Sequence, residues 1–309
     1  MQVSVVMAVY NGSKYLLEQL QSLHSQTYPI NEVVICDDNS TDDSVHIVRK
    51  YIKEHKLGVS WKVYRNTRNI GYANNFHKAM ELATGDYIFF CDQDDIWLVD
   101  KVERMIQIME QNGKIMMLAS EYDPFTCSKN APVLSKTLRR SMNGNETVEQ
   151  ISLNRNTIFI GSEGCTMCVR RTFIEDIRMY WFSGWAHDEY VWKMALCRHG
   201  AYIYHSPTLK RRLHENNVSK QKMRDLKKRV LFLKRLHQSH QQMLAYANEL
   251  SLDDDVKRLI QKNIDSVQLR IDLLERKKVF NTVLLALFYP WYYHSKKSIP
   301  VELYLAIKG

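Results

Sequence analysis

Paired cysteines are what this 309-residue chain has least of. Its six cysteines are scattered at positions 36, 91, 127, 165, 168 and 197. Cys36 and Cys91 lie in apolar runs and read as small core residues. Cys165-Thr166-Met167-Cys168 is a single CxxC with no second pair nearby. That speaks against a zinc module or thioredoxin-like chemistry, and the cysteine usage suits a reducing compartment. No secretory leader is expected either. Val3–Val9 is apolar, but no basic region precedes it, and Tyr10-Asn11-Gly12 ends it as a turn would. The sequon Asn145-Glu146-Thr147 has no meaning in the cytosol. Internal repeats and low-complexity tracts are absent from the sequence too.

What is present suits a soluble globular protein. Hydrophobic residues make up 45% and charged residues 25%, enough to bury a sizeable core. The length allows one large domain with an appendage, or two modest domains. A formal net charge of +9 points to acidic partners: nucleotides, a phospholipid surface or nucleic acid.

Strand and helix signals alternate through the first half, the pattern of an α/β domain with a mostly parallel sheet. Strands are expected at Val3–Val9, Glu32–Asp37, Val59–Tyr64 and Tyr87–Cys91. Helices are expected at Tyr15–His24, from a cap at Ser40 or Thr41 through about Lys53, at Ala73–Ala83 and at Val99–Gln111. Further on, the reading gives strands at Met116–Ser120, Gly161–Arg170, Ala201–Tyr204 and Thr208–Leu213, a loop over 123–147, and a helix at His187–His199. From about Ser219, apolar residues recur at three- and four-residue steps, as at Met223, Leu226, Val230 and Leu233, and mark amphipathic helices.

Asp92-Gln93-Asp94-Asp95 follows the apolar run Tyr87–Cys91. Three carboxylates there repel one another and resist desolvation, so positive charge is expected beside them. Two readings stand: a divalent cation held by oxygen ligands, or an acidic solvated turn that starts a helix. In open α/β sheets ligands gather at the carboxyl ends of strands. Those ends here read Tyr10-Asn11, Asp37-Asp38-Asn39-Ser40 and Asp92-Gln93-Asp94-Asp95, three polar clusters on one rim if the sheet is parallel.

At this point the chain resembles the family 2 glycosyltransferases of GT-A fold, a Rossmann-like architecture. The resemblance covers about residues 1–218. It rests on Ala8-Val9-Tyr10-Asn11-Gly12, Asp37-Asp38-Asn39-Ser40-Thr41-Asp42, Asn69-Ile70-Gly71, Asp92-Gln93-Asp94-Asp95-Ile96-Trp97, Gly184-Trp185-Ala186-His187-Asp188 and Arg212-Leu213-His214-Glu215-Asn216-Asn217. Their form is most similar to rhamnosyltransferases of bacterial surface polysaccharides. The resemblance implies that Ala8, Tyr10 and Asn11 form a platform under the nucleotide base, and that Asp38 accepts from the base. It implies that Asn69 and Gly71 shape a turn beside the nucleotide and that Asp92 meets the ribose or sugar. Asp94 and His214 would hold Mn²⁺ or Mg²⁺ bridging the diphosphate. Asp188 would be the general base of an inverting transfer. Gly164, Cys165, His187 and Trp185 would line the acceptor side. The residue-level alternatives stay open: Asp37-Asp38 and His187-Asp188-Glu189 also suit helix starts, and the tryptophans also suit a core.

Nine basic residues lie between Lys210 and Arg229, opposed only by Glu215 and Asp225. No nucleic-acid motif accompanies them, and an apolar aromatic stretch, Val279–Tyr293, follows, so anionic lipid is the expected partner. That stretch is 15 residues, short of the roughly 20 needed to span a bilayer. Trp291, Tyr292 and Tyr293 suit a headgroup boundary, with Lys296-Lys297 beside them. A buried helix or a homodimer interface is the other reading. The expectation is thus a glycosyltransferase domain over 1–218 and a helical region over 219–309, peripheral on the inner face of the cell membrane. Its donor would be a nucleotide-diphosphate sugar, with dTDP-L-rhamnose first and a UDP-hexose or UDP-N-acetylhexosamine as the alternative. Its acceptor would be a glycan, free or lipid-linked. A catalytically inactive scaffold is the reading from another class.

Overall fold

A computed structural model describes residues 1–127, 131, 142–215, 225–293 and 298–308. Four strands begin the sheet: β1 (Val3–Val9), β2 (Glu32–Asp37), β3 (Trp61–Arg65) and β4 (Tyr87–Cys91). They pair in parallel, in the order β3-β2-β1-β4. All of β4 and nearly all of β1 is buried, as interior strands covered on both faces must be. Helices α1 (Leu16–His24), α2 (Ser44–Glu54), α3 (Tyr72–Leu82) and α4 (Lys101–Gln111) follow these strands, with Leu16, Leu20 and Leu23 as the buried stripe of α1. The alternation thus produces the expected mostly parallel α/β sheet.

Beyond β4 the sheet turns mixed. The short β5 (Ile96–Trp97) precedes α4. Then come β6 (Met117–Thr126), β7 (Val148–Gln150), β8 (Cys168–Arg170) and β9 (Ala201–Leu213). The order continues β4-β8-β6-β9-β5, with β7 also on β9, and β8 antiparallel to both neighbours. Two helices, α5 (Arg171–Ile177) and α6 (His187–Cys197), cover this part. Several expectations are corrected. The 201–204 and 208–213 segments are one strand, because a register shift against β6 absorbs His205 and Ser206 before Pro207 pairs with Glu121. The 123–147 loop begins only after β6 ends at Thr126, and most of 128–141 lies outside the described residues. In the 161–170 run only 168–170 is strand, and Gly164–Thr166 is a 3₁₀ turn.

Four helices finish the chain: α7 (Leu226–Glu249), α8 (Asp254–Glu275), α9 (Asn281–Phe288) and α10 (Ser298–Lys308). Met243, Tyr246 and Ile260 join the same core as Trp185, Trp192 and Phe90, so the helical region closes over α6. The 218/219 boundary, Met223 and Lys296-Lys297 fall outside the described residues. The apolar stretch after Val279 is not one continuous surface segment. Tyr292 and Tyr293 are buried rather than set at a headgroup boundary, while Trp291 is exposed. No helix among the described residues is long and apolar enough to cross a membrane.

Candidate active site

The rim is assembled by loops that tie one strand end to the next. The Gln93 side-chain amide pairs with the Tyr10 backbone, accepting from its N–H at 2.9 Å and donating to its carbonyl at 3.1 Å. A Cβ on Gly12 would stand 2.2 Å from Gln93 Oε1, so glycine is what lets the amide cross there. Asn11 takes a positive φ of 48°, its N–H donates to Ser40 Oγ, and its Oδ1 accepts from the Thr41 N–H. Ser40 and Thr41 are therefore engaged with the β1 loop and do not cap α2, which starts at Ser44.

Asp38 is buried at 2% exposure. Its Oδ1 accepts from Asn66 Nδ2 and the Ile70 N–H, and its Oδ2 from the Gly71 N–H, all within 2.9 Å. The carboxylate thus fixes the Asn69-Ile70-Gly71 turn, with φ of 85° at Gly71. A contact with a base would fall on the lone pair Oδ2 has left. Asn69 supports the same turn by accepting from the Gly71 N–H. Tyr10 is about half exposed at the rim, and Ala8 lies partly buried behind it.

Beside this turn the acidic cluster gathers. Asp92, Asp95 and Cys165 bring ligand atoms within 4.8 Å of one another. Burial first, then Asp94 and Asp95, push the Asp92 carboxyl well above its usual range. Burial and Asp94 push Asp95 up to about 6. Asp94 pairs with His214, Oδ2 to Nε2 at 2.7 Å. The positive charge expected here arrives from an unexpected source. Arg211 and Arg212, read in sequence as part of a lipid-facing basic run, are buried at 8% and 5% exposure. The Arg212 backbone N–H donates to Asp95 Oδ1 at 2.9 Å and its Nε to the Asp94 carbonyl at 2.8 Å. Arg211 donates to Glu163 at 2.5 Å and Tyr122 at 3.2 Å, and its charge lowers the Asp92 and Asp95 carboxyls in part. Lys101, fully buried, donates to the Cys165 carbonyl at 2.8 Å.

The chemistry of the donors fits a divalent cation. Carboxylates and one imidazole converge, and Asp95 Oδ2 is buried without a hydrogen-bond partner. Burial holds the Cys165 thiol neutral, which leaves oxygen and nitrogen as the ligands on offer.

Asp188 stands at the first turn of α6, where Oδ1 accepts from the Glu189 N–H at 2.8 Å. It stands against Gly164, whose neighbour Cys165 lies within 4.8 Å of the Asp92 and Asp95 ligand atoms, so Asp188 sits near the acidic cluster. Burial raises Asp188 to about 7, with Glu189 and Glu163 adding to the rise. Gly164 seals this wall: a Cβ there would lie 2.4 Å from His187 Nε2 and 3.3 Å from Asp188 Cβ. The other residues expected on the acceptor side are buried. His187 is 4% exposed, stacked on Phe76 at 3.8 Å, and burial lowers it to about 3, so it is neutral. Trp185 is 1% exposed and stacks on Phe182, with no face open to a sugar. Cys165 is buried under the acidic cluster. Sequence reasoning missed Glu163 and Arg211. Glu163 immediately precedes Gly164, and Arg211 precedes Arg212, so proximity to the motifs was the available signal.

A profile of the Glycosyl transferase family 2 matches residues 4–177. This chain belongs to that family. The Escherichia coli enzyme WfaP, UDP-Glc:alpha-D-GlcNAc-diphosphoundecaprenol beta-1,3-glucosyltransferase, is 36% identical over 120 residues, 39% of this chain and 45% of WfaP. The match thus spans less than half of that relative. WfgD of the same species, of the same described activity, is 25% identical over 228 residues, 73% of this chain and 83% of WfgD. Among solved structures, S. aureus TarS 1-349 in complex with UDP-GlcNAc superposes with a TM-score of 0.68 at 18% identity, covering 99% of this chain and 90% of that one. The mannosyltransferase PcManGT from Pyrobaculum calidifontis, in complex with GDP-Man and Mn²⁺, gives 0.58 at 15% identity, covering 99% of this chain and 86% of that one. These structural likenesses show the fold, which is GT-A with C-terminal helices.

Proposed function

We propose that this family 2 member is an inverting, metal-dependent glycosyltransferase that moves a sugar from a nucleoside diphosphate onto a lipid-linked glycan in surface polysaccharide or cell-wall biosynthesis. The observation that carries the reading is Asp188: a carboxyl set against Gly164, next to the Cys165 that meets Asp92 and Asp95, and raised by burial to about 7. A sugar hydroxyl becomes a nucleophile as its proton is withdrawn, and a carboxylate tuned near neutrality suits that task. The hydroxyl oxygen bonds to the anomeric carbon while the bond to the diphosphate breaks, and the proton ends on Asp188. One base and one displacement invert the anomeric centre through an oxocarbenium-like state. Asp94 and His214 would hold Mn²⁺ or Mg²⁺, which when bound supplies neutralisation of the departing diphosphate. Arg211 and Arg212 keep the carboxylates in place while that ion exchanges. Asp92 meets the donor's ribose or sugar, and the Tyr10-Asn11 and Asn69–Gly71 loops meet its base.

For the donor, the names of WfaP and WfgD favour a UDP-sugar, UDP-glucose or UDP-N-acetylglucosamine, over dTDP-L-rhamnose, which rests on the form of the motifs. Lipid-linked acceptors of those relatives support placing this protein at the cytoplasmic membrane surface. An inactive scaffold would have no use for a carboxyl buried beside other acids at a cost in desolvation. The test is a screen of UDP-glucose, UDP-N-acetylglucosamine and dTDP-rhamnose for Mn²⁺-dependent thermal stabilisation. Proton NMR of the released or transferred sugar follows. Stabilisation by one donor with a product of inverted configuration is expected; no stabilisation by any, or retained configuration, overturns the proposal.

A further inference from the structure

The last two helices carry an apolar face left exposed among the described residues. Phe280, Leu287, Phe288, Tyr304 and Ile307 are each between 56% and 71% exposed. On α9 the buried side is Asn281 and Leu285, and the outward side holds no charge. Helix α10 continues the surface, since α9 and α10 pack on α8 and touch each other. Soluble proteins seldom expose apolar residues so densely without an interaction to serve.

The charge around this face is one-sided. From Arg276 to the end of the chain there are six Lys or Arg, at 276, 277, 278, 296, 297 and 308, and one acid, Glu302. Glu302 is fully buried, held at 2.7 Å by both Arg229 and Arg270. Asp272 pairs with Arg276 and Lys278, and the exposed Glu275 pairs with Lys234 at 2.7 Å, so both carboxylates at the end of α8 are already matched. Lys277 and Lys308 are exposed at its margin.

We propose that this face docks flat on an anionic lipid bilayer, with the apolar residues of α9 and α10 in the acyl boundary and the flanking cations on headgroup phosphates. A second copy is the poorer partner, because self-pairing would bring the exposed Lys277 and Lys308 of both copies together while the nearby Asp272 and Glu275 are already ion-paired. The inference rests on the lipid-linked acceptor only as its biological use.

Flotation of the purified full chain decides it, using phosphatidylcholine vesicles with and without phosphatidylglycerol. Binding is expected only with phosphatidylglycerol. Leu287→Glu/Phe288→Glu should weaken it more than about tenfold, and Lys277→Gln about fivefold, a loss that high salt should mimic. Donor hydrolysis and circular dichroism on the same samples should be unchanged, which separates this face from the catalytic reading. Equal flotation of the double variant overturns the proposal. So does absence of flotation, or a dimer by sedimentation velocity that Leu287→Glu/Phe288→Glu dissociates without any lipid binding.

Discussion

The acidic rim and the C-terminal face are opposite solutions to the same demand. At the rim, carboxylates are crowded at strand ends and buried cations are recruited from distant sequence: Lys101, Arg211 and Arg212. On α9 and α10 the sole acid is drawn inward to two arginines, and apolar side chains are left outside. The difference teaches that burial, not composition, assigns the roles. Two arginines of a run that suggests a lipid surface are buried against the acidic rim, while Phe280 and Leu287, in a stretch that suits either lipid or a buried helix, face outward.

The sharpest way to break this comparison is at Asp188. Asp188→Asn should lower transfer about ten-thousandfold while Mn²⁺-dependent donor binding stays within twofold or so, since no donor contact is assigned to it. Steady-state kinetics with a binding titration check both halves. Glu302→Ala comes next: it strands Arg229 and Arg270 against each other and should cost about 3–5 kcal/mol of stability. Chemical denaturation measures this, and an unchanged midpoint would remove the inward acid from the account. At the rim, Gly164→Ala drives a methyl into the His187 ring and against Asp188 Cβ. Turnover should fall about a hundredfold, with donor affinity retained, by the same kinetics.

The pH dependence is the smallest of these effects. Asp188 is raised to about 7, and the base acts deprotonated. Turnover under saturating donor should thus be flat above pH 7 and fall about tenfold per unit below it. A flat profile down to pH 5 would place the base elsewhere.

Much of the nucleotide-side fold was legible because its strands are buried on both faces and read as unbroken apolar runs, as in Val3–Val9 and Tyr87–Cys91. The three polar strand ends were legible for the same reason: parallel neighbours force them onto one edge. Strand β9 was not, since Ser206-Pro207 breaks its pattern and only a register shift against β6 carries it through. Helix α5 follows β8 directly, with Arg170 at its start in place of a capping side chain, so no local signal marks it. At the site, Asp94, His214 and Asp188 could be named from motif form. The burial of His187 could not, because it depends on Phe76 from another segment. Glu163 and Arg211 offered only their adjacency to the motifs, because their partnership joins a loop to β9 across 48 positions.

The central claim is that the Asp94–His214 pair seats a cation that makes the donor's diphosphate bind. Calorimetric titration of UDP into the wild-type chain and Asp94→Ala, each with and without Mn²⁺, tests it most directly. The account predicts binding to the wild type that Mn²⁺ strengthens at least about tenfold, with that gain lost in Asp94→Ala. Equal UDP affinity in all four titrations would contradict it.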